Sequence, residues 1–128
     1  MTNHGQKILI VDDDPPIVEL LKFTLESAGF RTVVAIDGND ALSKIQSERP
    51  DLVLLDIMLP TKDGYSVLEE IRGTSEFKIL PIVIISAKVQ EVDISHGISL
   101  GANDYFTKPL ELDRLVGRVS DLIGKDKK

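Results

Sequence analysis

Short apolar runs alternate along the chain with longer segments that have helical spacing. The runs are too short for helices, and they occur at Ile8–Val11, Thr32–Ile36, Leu52–Leu55, Ile82–Ile85 and, more weakly, Asp104–Thr107. Their apolarity is continuous rather than alternating, which is typical of strands covered on both faces. The pattern therefore predicts five strands of a buried parallel sheet.

Helical spacing fills the segments 15–28, 38–48, 64–72, 90–100 and 111–123. The first segment opens with two prolines, which suit the first turn of a helix, and stops before a glycine. We expect its inward face to carry Ile17, Leu20, Leu21, Thr24 and Leu25. Segment 90–100 is the weakest of the five predicted helices, because Gly97 and several β-branched or serine residues lower its helix propensity.

The regular alternation of strand and helix predicts an α/β fold with a doubly wound, five-stranded parallel sheet in the order 2-1-3-4-5. A chain of 128 residues has room for one such domain, which we expect over residues 7–123. Residues 1–6 are predicted to be a flexible N-terminus. Residues 124–128 are predicted to be a flexible tail or the start of a linker.

Composition excludes several classes of protein. The net charge of −6 argues against a nucleic-acid surface and an acidic membrane surface. The absence of cysteine excludes disulfides and zinc–cysteine sites, and it fits a reducing cytoplasm. No apolar stretch approaches about 18 residues, and the N-terminus lacks the apolar core of a signal peptide. We therefore expect a cytoplasmic protein without membrane insertion.

Acidic residues stand where two of the predicted strands end. Asp12 and Asp13 follow the first apolar run, and Asp56 follows the third. A carboxylate at the end of a buried strand costs free energy unless its charge is used. In the predicted strand order the first and third strands are neighbours, so the three acids converge at the switch point of the sheet. A hard cation such as Mg²⁺, which prefers oxygen ligands, would remove their repulsion.

Two further strand ends offer groups that suit a phosphate. Ser86 ends the fourth run and can donate its hydroxyl proton, and Lys108 follows the fifth and supplies a positive charge. Pro109 follows Lys108 directly and is a candidate for a cis peptide bond. Each of these residues alone is ordinary, and a lone acid at a strand end is usually a cap or a loop charge, as we expect for Asp14. Their coincidence at one edge of the sheet indicates a site.

The motifs that carry this site are similar to those of a known family. They are Ile-Val-Asp-Asp-Asp at 10–14, Asp-Ile-Met-Leu-Pro at 56–60 with Asp-Gly at 63–64, Ser-Ala-Lys at 86–88, and Gly-Ala-Asn-Asp-Tyr at 101–105 leading to Lys-Pro at 108–109. Over about residues 6–123 the chain resembles the receiver domain of two-component response regulators, including those of chemotaxis. The resemblance implies a flavodoxin-like (βα)5 fold.

The resemblance also implies roles for individual residues. Asp56 would accept a phosphoryl group. Asp13, Asp56 and the backbone carbonyl of Met58 would bind Mg²⁺, for which Mn²⁺ could substitute, and Asp12 would support the metal through water. The phosphoryl group would then be bound and sensed by Ser86, Ala87, Lys108 and Tyr105, the last being the aromatic residue of the switch.

The partners implied by the resemblance are proteins rather than nucleic acids. A sensor histidine kinase or a histidine phosphotransfer protein would supply the phosphoryl group. A downstream effector protein or a fused output domain would respond to the surface formed by the fourth helix, fifth strand and fifth helix. The chain would be a phosphoacceptor signalling domain, not an enzyme, although it would assist its own Mg²⁺-dependent phosphorylation and dephosphorylation.

The chain departs from the family pattern at a few positions. Ser86 replaces the commoner threonine, and the fourth helix lacks the basic residues of many DNA-binding regulators, which argues against a symmetric dimer through that face. Met58 and Lys88 are neither acids nor amides that would position water, so we expect slow self-dephosphorylation.

Two other classes share parts of this pattern. A metal-dependent phosphatase with an aspartyl nucleophile needs that nucleophile on the first strand, with a second acid two residues later and a threonine after it; the segment Asp12-Asp13-Asp14-Pro15 lacks the threonine. A flavin-binding electron carrier needs a hydroxyl-rich phosphate loop after the first strand, where this chain has acids and prolines that would repel phosphate.

Overall fold

Five strands form one parallel sheet in the computed structural model of the chain, which describes residues 5–124. They are β1 (Lys7–Val11), β2 (Arg31–Ala35), β3 (Leu52–Asp56), β4 (Ile82–Ser86) and β5 (Asp104–Thr107). The order across the sheet is β2-β1-β3-β4-β5, which confirms the predicted topology. The neighbouring strands β1 and β3 end at the same edge of the sheet, because Val11 pairs with Leu55.

All five predicted helices are present. They are α1 (Pro15–Ser27), α2 (Gly38–Glu48), α3 (Gly64–Gly73), α4 (Glu91–Ser99) and α5 (Leu112–Val119). A 3₁₀ turn at Ser75–Phe77 follows α3, and α5 widens into a π turn at Ser120–Gly124, so the regular part of α5 is shorter than the predicted 111–123. The weakly predicted segment 90–100 does form a helix, α4.

The helices cover both faces of the sheet, which explains why its strands are apolar throughout. Residues of α1 and α5 pack with one set of strand side chains. Residues of α2 and α3 pack with the opposite set. Strands β3 and β4 are buried over their whole length, including the polar residues Asp56 and Ser86 at their ends. The two layers therefore leave the carboxyl edge of the sheet as the place where polar groups collect.

The buried stripe of α1 differs from the predicted one at two positions, because it includes Val18, which the prediction omits, and lacks Leu20. Val18, Leu21 and Leu25 are buried, whereas the side chain of Leu20 is 44% exposed and the prediction that it faces inward is wrong. Leu20 lies about 200° around the helix from Val18, since each residue advances by about 100°. A stripe centred on Val18 and Leu25 therefore places Leu20 outside.

No helix within residues 5–124 is long and apolar enough to cross a membrane. The predicted flexible ends, 1–6 and 124–128, fall mostly outside this described range.

Candidate functional site

Three carboxylates meet at the carboxyl edge of the sheet. Asp12 follows β1, Asp13 is next in the chain, and Asp56 is the last residue of β3. One oxygen of each carboxylate lies within 4.8 Å of an oxygen of the others. Asp12 and Asp56 are buried, and Asp13 is exposed to solvent. The fold thus brings together the acids that the sequence predicts to converge.

The side chain of Lys108 joins the two buried acids. Its Nζ donates hydrogen bonds to Oδ2 of Asp12 at 3.0 Å and to Oδ2 of Asp56 at 3.1 Å. Lys108 comes directly after β5, at the far end of the sheet from β1, so its side chain reaches across the end of β4. Two acids and one ammonium in contact form a compact, charge-assisted network.

Backbone amides hold the other oxygen of each buried carboxylate. The N–H of Met58 donates to Oδ1 of Asp56 at 3.0 Å, and the N–H of Asp14 donates to Oδ1 of Asp12 at 3.0 Å. Asp14 is the N-cap residue of α1, as predicted, although its own side chain makes no capping hydrogen bond. The amide bonds to the acids are not predictable from residue type, because nearly every residue carries a backbone N–H.

Burial and charge act in opposite directions on the network. Burial raises the pKa of Asp56, and it outweighs the hydrogen bonds from the Met58 amide and Lys108, which lower that pKa. Burial alone would lower the pKa of Lys108, but its hydrogen bonds to Asp12 and Asp56 prevail and raise it. The raised pKa of Lys108 favours its cationic form, whereas burial disfavours the carboxylate form of Asp56, which further positive charge would stabilise.

Ser86 and Lys108 are linked through their backbones. The N–H of Lys108 donates to the carbonyl of Ser86 at 2.8 Å, and the peptide bond between Lys108 and Pro109 is cis. The buried Oγ of Ser86 accepts a hydrogen bond from the N–H of Lys88 at 3.0 Å. Ala87 stands between these two residues and is exposed. The end of β4 thus places the hydroxyl of Ser86 and the exposed residue Ala87 beside the strand that ends in Asp56.

Tyr105 connects β5 with the loop before α4. Its hydroxyl donates to the carbonyl of Lys88 at 3.0 Å. Its ring lies beside Gly97 of α4, where an added Cβ would come within 3.2 Å of a ring carbon. The side chain is half-buried, and through Lys88 it adjoins the segment that carries Ser86. A change at the end of β4 can therefore reach Tyr105 through a short chain of contacts.

The loop between β3 and α3 is closed by its own backbone. The N–H of Gly64 donates to the carbonyl of Ile57 at 2.8 Å, and Asp63 caps α3 by accepting from the N–H of Ser66 at 3.0 Å. Thr61 has a φ of 65°, a conformation that is uncommon for a β-branched residue. Met58 lies within this loop, and its side chain is 56% exposed. The loop is thus a defined structure next to Asp56.

The donor set at the acidic edge fits a hard divalent cation. Asp12, Asp13 and Asp56 offer only oxygen atoms, and Mg²⁺ binds through one or two carboxylates while keeping several waters. The exposure of Asp13 leaves a way in for solvent and for a further ligand. No cysteine thiolate competes here, because the chain has no cysteine.

Comparisons with known proteins agree with this geometry. A family model described as "Response regulator receiver domain" matches residues 8–120. A protein described as a response regulator from Chloroflexus aurantiacus has a similar structure, with a TM-score of 0.88, 37% identity, and coverage of 91% of this chain and 96% of that one.

Two further solved structures are similar over nearly the same length. The receiver domain of Francisella response regulator 1452 has a TM-score of 0.86 and 36% identity, and the match covers 92% of this chain and 96% of that one. The BeF3-activated N-terminal receiver domain of Klebsiella pneumoniae RstA has a TM-score of 0.86 and 34% identity, and the match covers 91% of this chain and 97% of that one.

Proposed function

This chain belongs to the response regulator receiver domain family, and from that premise we propose that Asp56 accepts a phosphoryl group from a histidine kinase or a histidine phosphotransfer protein. Receiver domains of this family are signalling domains in two-component systems rather than enzymes that turn over a substrate. The acidic pocket of Asp12, Asp13 and Asp56 is the part of this chain that would carry out that role.

The observation that carries the proposal is the bridge made by Lys108. Its ammonium group contacts both Asp12 and Asp56, at 3.0 Å and 3.1 Å. A structural ion pair would need one acid, whereas this lysine serves two acids that are both buried. A cation beside a buried carboxylate suits a phosphoacceptor, because the incoming group brings further negative charge.

The same pocket supplies the ligands for Mg²⁺. We assign direct binding to Asp13, Asp56 and the backbone carbonyl of Met58, and binding through water to Asp12; Mn²⁺ would substitute. A cation held there would supply positive charge to offset the negative charge on the oxygens of the transferred group. The backbone hydrogen bonds from Asp14 to Asp12 and from Met58 to Asp56 hold the two carboxylates in place.

The reaction itself asks little of the protein beyond alignment and charge. An Oδ oxygen of Asp56 attacks the phosphorus, the bond from phosphorus to the donor's imidazole nitrogen breaks, and the imidazole keeps the electron pair and takes a proton from solvent. The product is an acyl phosphate on Asp56. Lys108 then pairs with a phosphoryl oxygen instead of the free carboxylate, and the hydroxyl of Ser86 donates to another.

The negative charge of the phosphoryl group would be sensed by residues at the end of β4. Ser86 and Ala87 move toward the phosphoryl group, which alters the Lys88 segment that the hydroxyl of Tyr105 contacts. Tyr105 packs against α4, so the change reaches the surface formed by α4, β5 and α5. A downstream effector protein or a fused output domain would recognise that surface.

A direct test is incubation with Mg²⁺ and acetyl phosphate, followed by intact-mass measurement. We expect the mass of one phosphoryl group to be added, and the addition to be lost in Asp56→Asn and in the presence of a chelator. Asp113→Asn, which changes an exposed acid on α5, is the matched control and should be labelled like the wild type. An unmodified wild-type mass, under conditions that label another receiver domain, would refute the proposal.

A further inference from the structure

We propose that Gly38, the first residue of α2, is a positioning residue for the cation site. Gly38 would set the position of the β3–α3 loop, and so of the Met58 carbonyl, although it lies on a different element and has no side chain of its own. The inference rests on the proposed function, since the loop contributes to that function through Met58 and Asp56.

The backbone of Gly38 lies against the backbone of Lys62. A Cβ atom added at Gly38 would lie 2.2 Å from the carbonyl oxygen of Lys62 and 2.7 Å from its Cβ. Non-bonded atoms pack at about 3.5 Å, so the loop would have to retreat by about 1 Å to admit one methyl group. The carbonyl oxygen is a main-chain atom and the Cβ is bonded directly to the main chain, so neither can swing aside as the end of a flexible side chain can. Gly38 is also buried, so α2 has packing on this side rather than free space.

The loop has little capacity to absorb such a shift. The carbonyl of Ile57 accepts from the N–H of Leu59 at 3.1 Å and of Gly64 at 2.8 Å, and the N–H of Lys62 donates to the carbonyl of Pro60 at 2.7 Å. These hydrogen bonds connect the two sides of the loop, so we expect a displacement at Lys62 to move the loop as a whole.

The opposite side of the loop is equally confined. A Cβ at Gly64 would lie 2.5 Å from the carbonyl oxygen of Asp56, so the start of α3 sits directly on the end of β3. Within the loop, the N–H of Met58 bonds to the carboxylate of Asp56. A displacement that begins at Lys62 therefore changes the position of Met58 relative to Asp56, which is the relationship that a shared cation requires.

Gly38 could instead matter only for packing, and that alternative makes a different prediction. A packing role would lower the stability of the fold but leave the affinity of the folded protein for Mg²⁺ unchanged. A positioning role would lower that affinity in the folded protein. Groups outside the ligand set commonly change metal affinity by about 10–100-fold when they are altered.

The experiment is a Mg²⁺ titration of the full chain, followed by the amide NMR shifts of Met58 and its neighbours. Gly38→Ala is compared with Gly73→Ala, at the end of α3, where an added Cβ meets nothing within 4 Å. We expect the Kd for Mg²⁺ to rise about tenfold in Gly38→Ala. In Gly73→Ala we expect it to stay within about twofold. The Met58 amide should be shifted before any Mg²⁺ is added, in Gly38→Ala only.

Two further measurements distinguish a failure of the Gly38 proposal from a failure of the proposed metal site. The titration of Gly38→Ala is repeated in sucrose, which favours the folded state; an affinity loss that vanishes there reflects unfolding and overturns the positioning role. Asp13→Asn and the wild type test the site itself. A wild type that fails to bind Mg²⁺, or binds it no better than Asp13→Asn, overturns the proposed metal site and this inference with it. Asp13-dependent binding that Gly38→Ala leaves unchanged overturns the role of Gly38 alone.

Discussion

The Nζ atom of Lys108 lies 3.1 Å from Oδ2 of Asp56, although 52 positions separate the two residues in the chain. The contact spans the end of β4 and places a cation beside the buried acid at the end of β3. It stabilises the carboxylate form of Asp56 only in part, because burial still raises the pKa of that group. Further positive charge in the pocket would therefore stabilise the carboxylate form of Asp56.

The stability of the protein should depend on the protonation of Asp56. Its pKa is raised in the folded state above the usual 3.8, so the folded chain binds the proton more readily than the unfolded chain and protonation favours folding. That contribution is fully present below the usual pKa and is lost as pH rises through the folded-state pKa. We expect Asp56→Asn to be more stable than the wild type at neutral pH in the absence of Mg²⁺.

Urea denaturation of both proteins from neutral pH down to about pH 4 measures this effect. The stability advantage of Asp56→Asn should shrink as the pH falls, because the wild-type carboxyl becomes neutral. Mg²⁺ at neutral pH should reduce the same advantage by binding the wild type. Asp113→Asn controls for the loss of one acid. An advantage that is constant across this pH range would contradict the assignment of the effect to Asp56.

Replacing Lys108 with alanine should affect stability and signalling separately. Two buried acids lose their ammonium donor, which should cost about 1–3 kcal/mol of unfolding free energy without Mg²⁺. Mg²⁺ binding should persist, because the carboxylates and the Met58 carbonyl remain. Phosphorylation, however, should no longer alter the surface of α4, β5 and α5.

The effect of Lys108→Ala on signalling is measured by the amide NMR shifts of the surface formed by α4, β5 and α5, after beryllofluoride is added in place of a phosphoryl group. Lys78→Ala, which removes an exposed lysine, should keep both the stability and the response of the wild type. A normal response of the surface in Lys108→Ala would refute the role given to that lysine.

Arg72 should be one of the larger contributors to stability outside the core. Its guanidinium donates to the carbonyls of Gly101 and Leu80, at 2.9 Å and 2.7 Å, and to Oδ1 of Asn103 at 3.1 Å. Arg72→Ala removes this donor from both carbonyls, and Oδ1 of Asn103 keeps only the N–H of Ile82; the change should cost about 2–3 kcal/mol in urea denaturation. Arg114→Ala, which removes an exposed ion pair and a cation–π contact with the ring of Phe106, should cost about 1 kcal/mol or less. Equal losses would contradict this ranking.

The acyl phosphate should be long-lived compared with that of the fastest chemotaxis receivers. The side chains beside the site, Met58 and Lys88, are exposed, and neither has an amide or acid that would orient water for attack. Met58→Asn adds such an amide and should shorten the lifetime severalfold, as measured by loss of phosphoryl mass with time. Val89→Asn places an amide on a neighbouring exposed apolar residue and should not. A wild-type lifetime as short as that of the fastest receivers would contradict the prediction.

The residues of the site differ in how far sequence could place them. Asp12, Asp13 and Asp56 follow apolar runs, and the rule that parallel strands end at a common edge is enough to bring them together. The buried face of α1 was harder to predict. Leu20 and Val18 are both apolar, and only the packing of the helix against the sheet shows which of the two is buried. The hydrogen bond from the amide of Met58 to Asp56 could not be predicted from the sequence.

Residue patterns alone are enough to predict the strands and helices of this protein and the edge at which its polar groups collect. Apolar periodicity distinguishes strand from helix, and strand–helix alternation leads to a parallel sheet whose strand ends lie together. The contact of Lys108 with two acids and the close approach of Gly38 to the carbonyl of Lys62 are visible only in the folded chain. Those relationships depend on distances of a few ångströms between segments remote in the chain, and the pattern of residue types does not encode such distances.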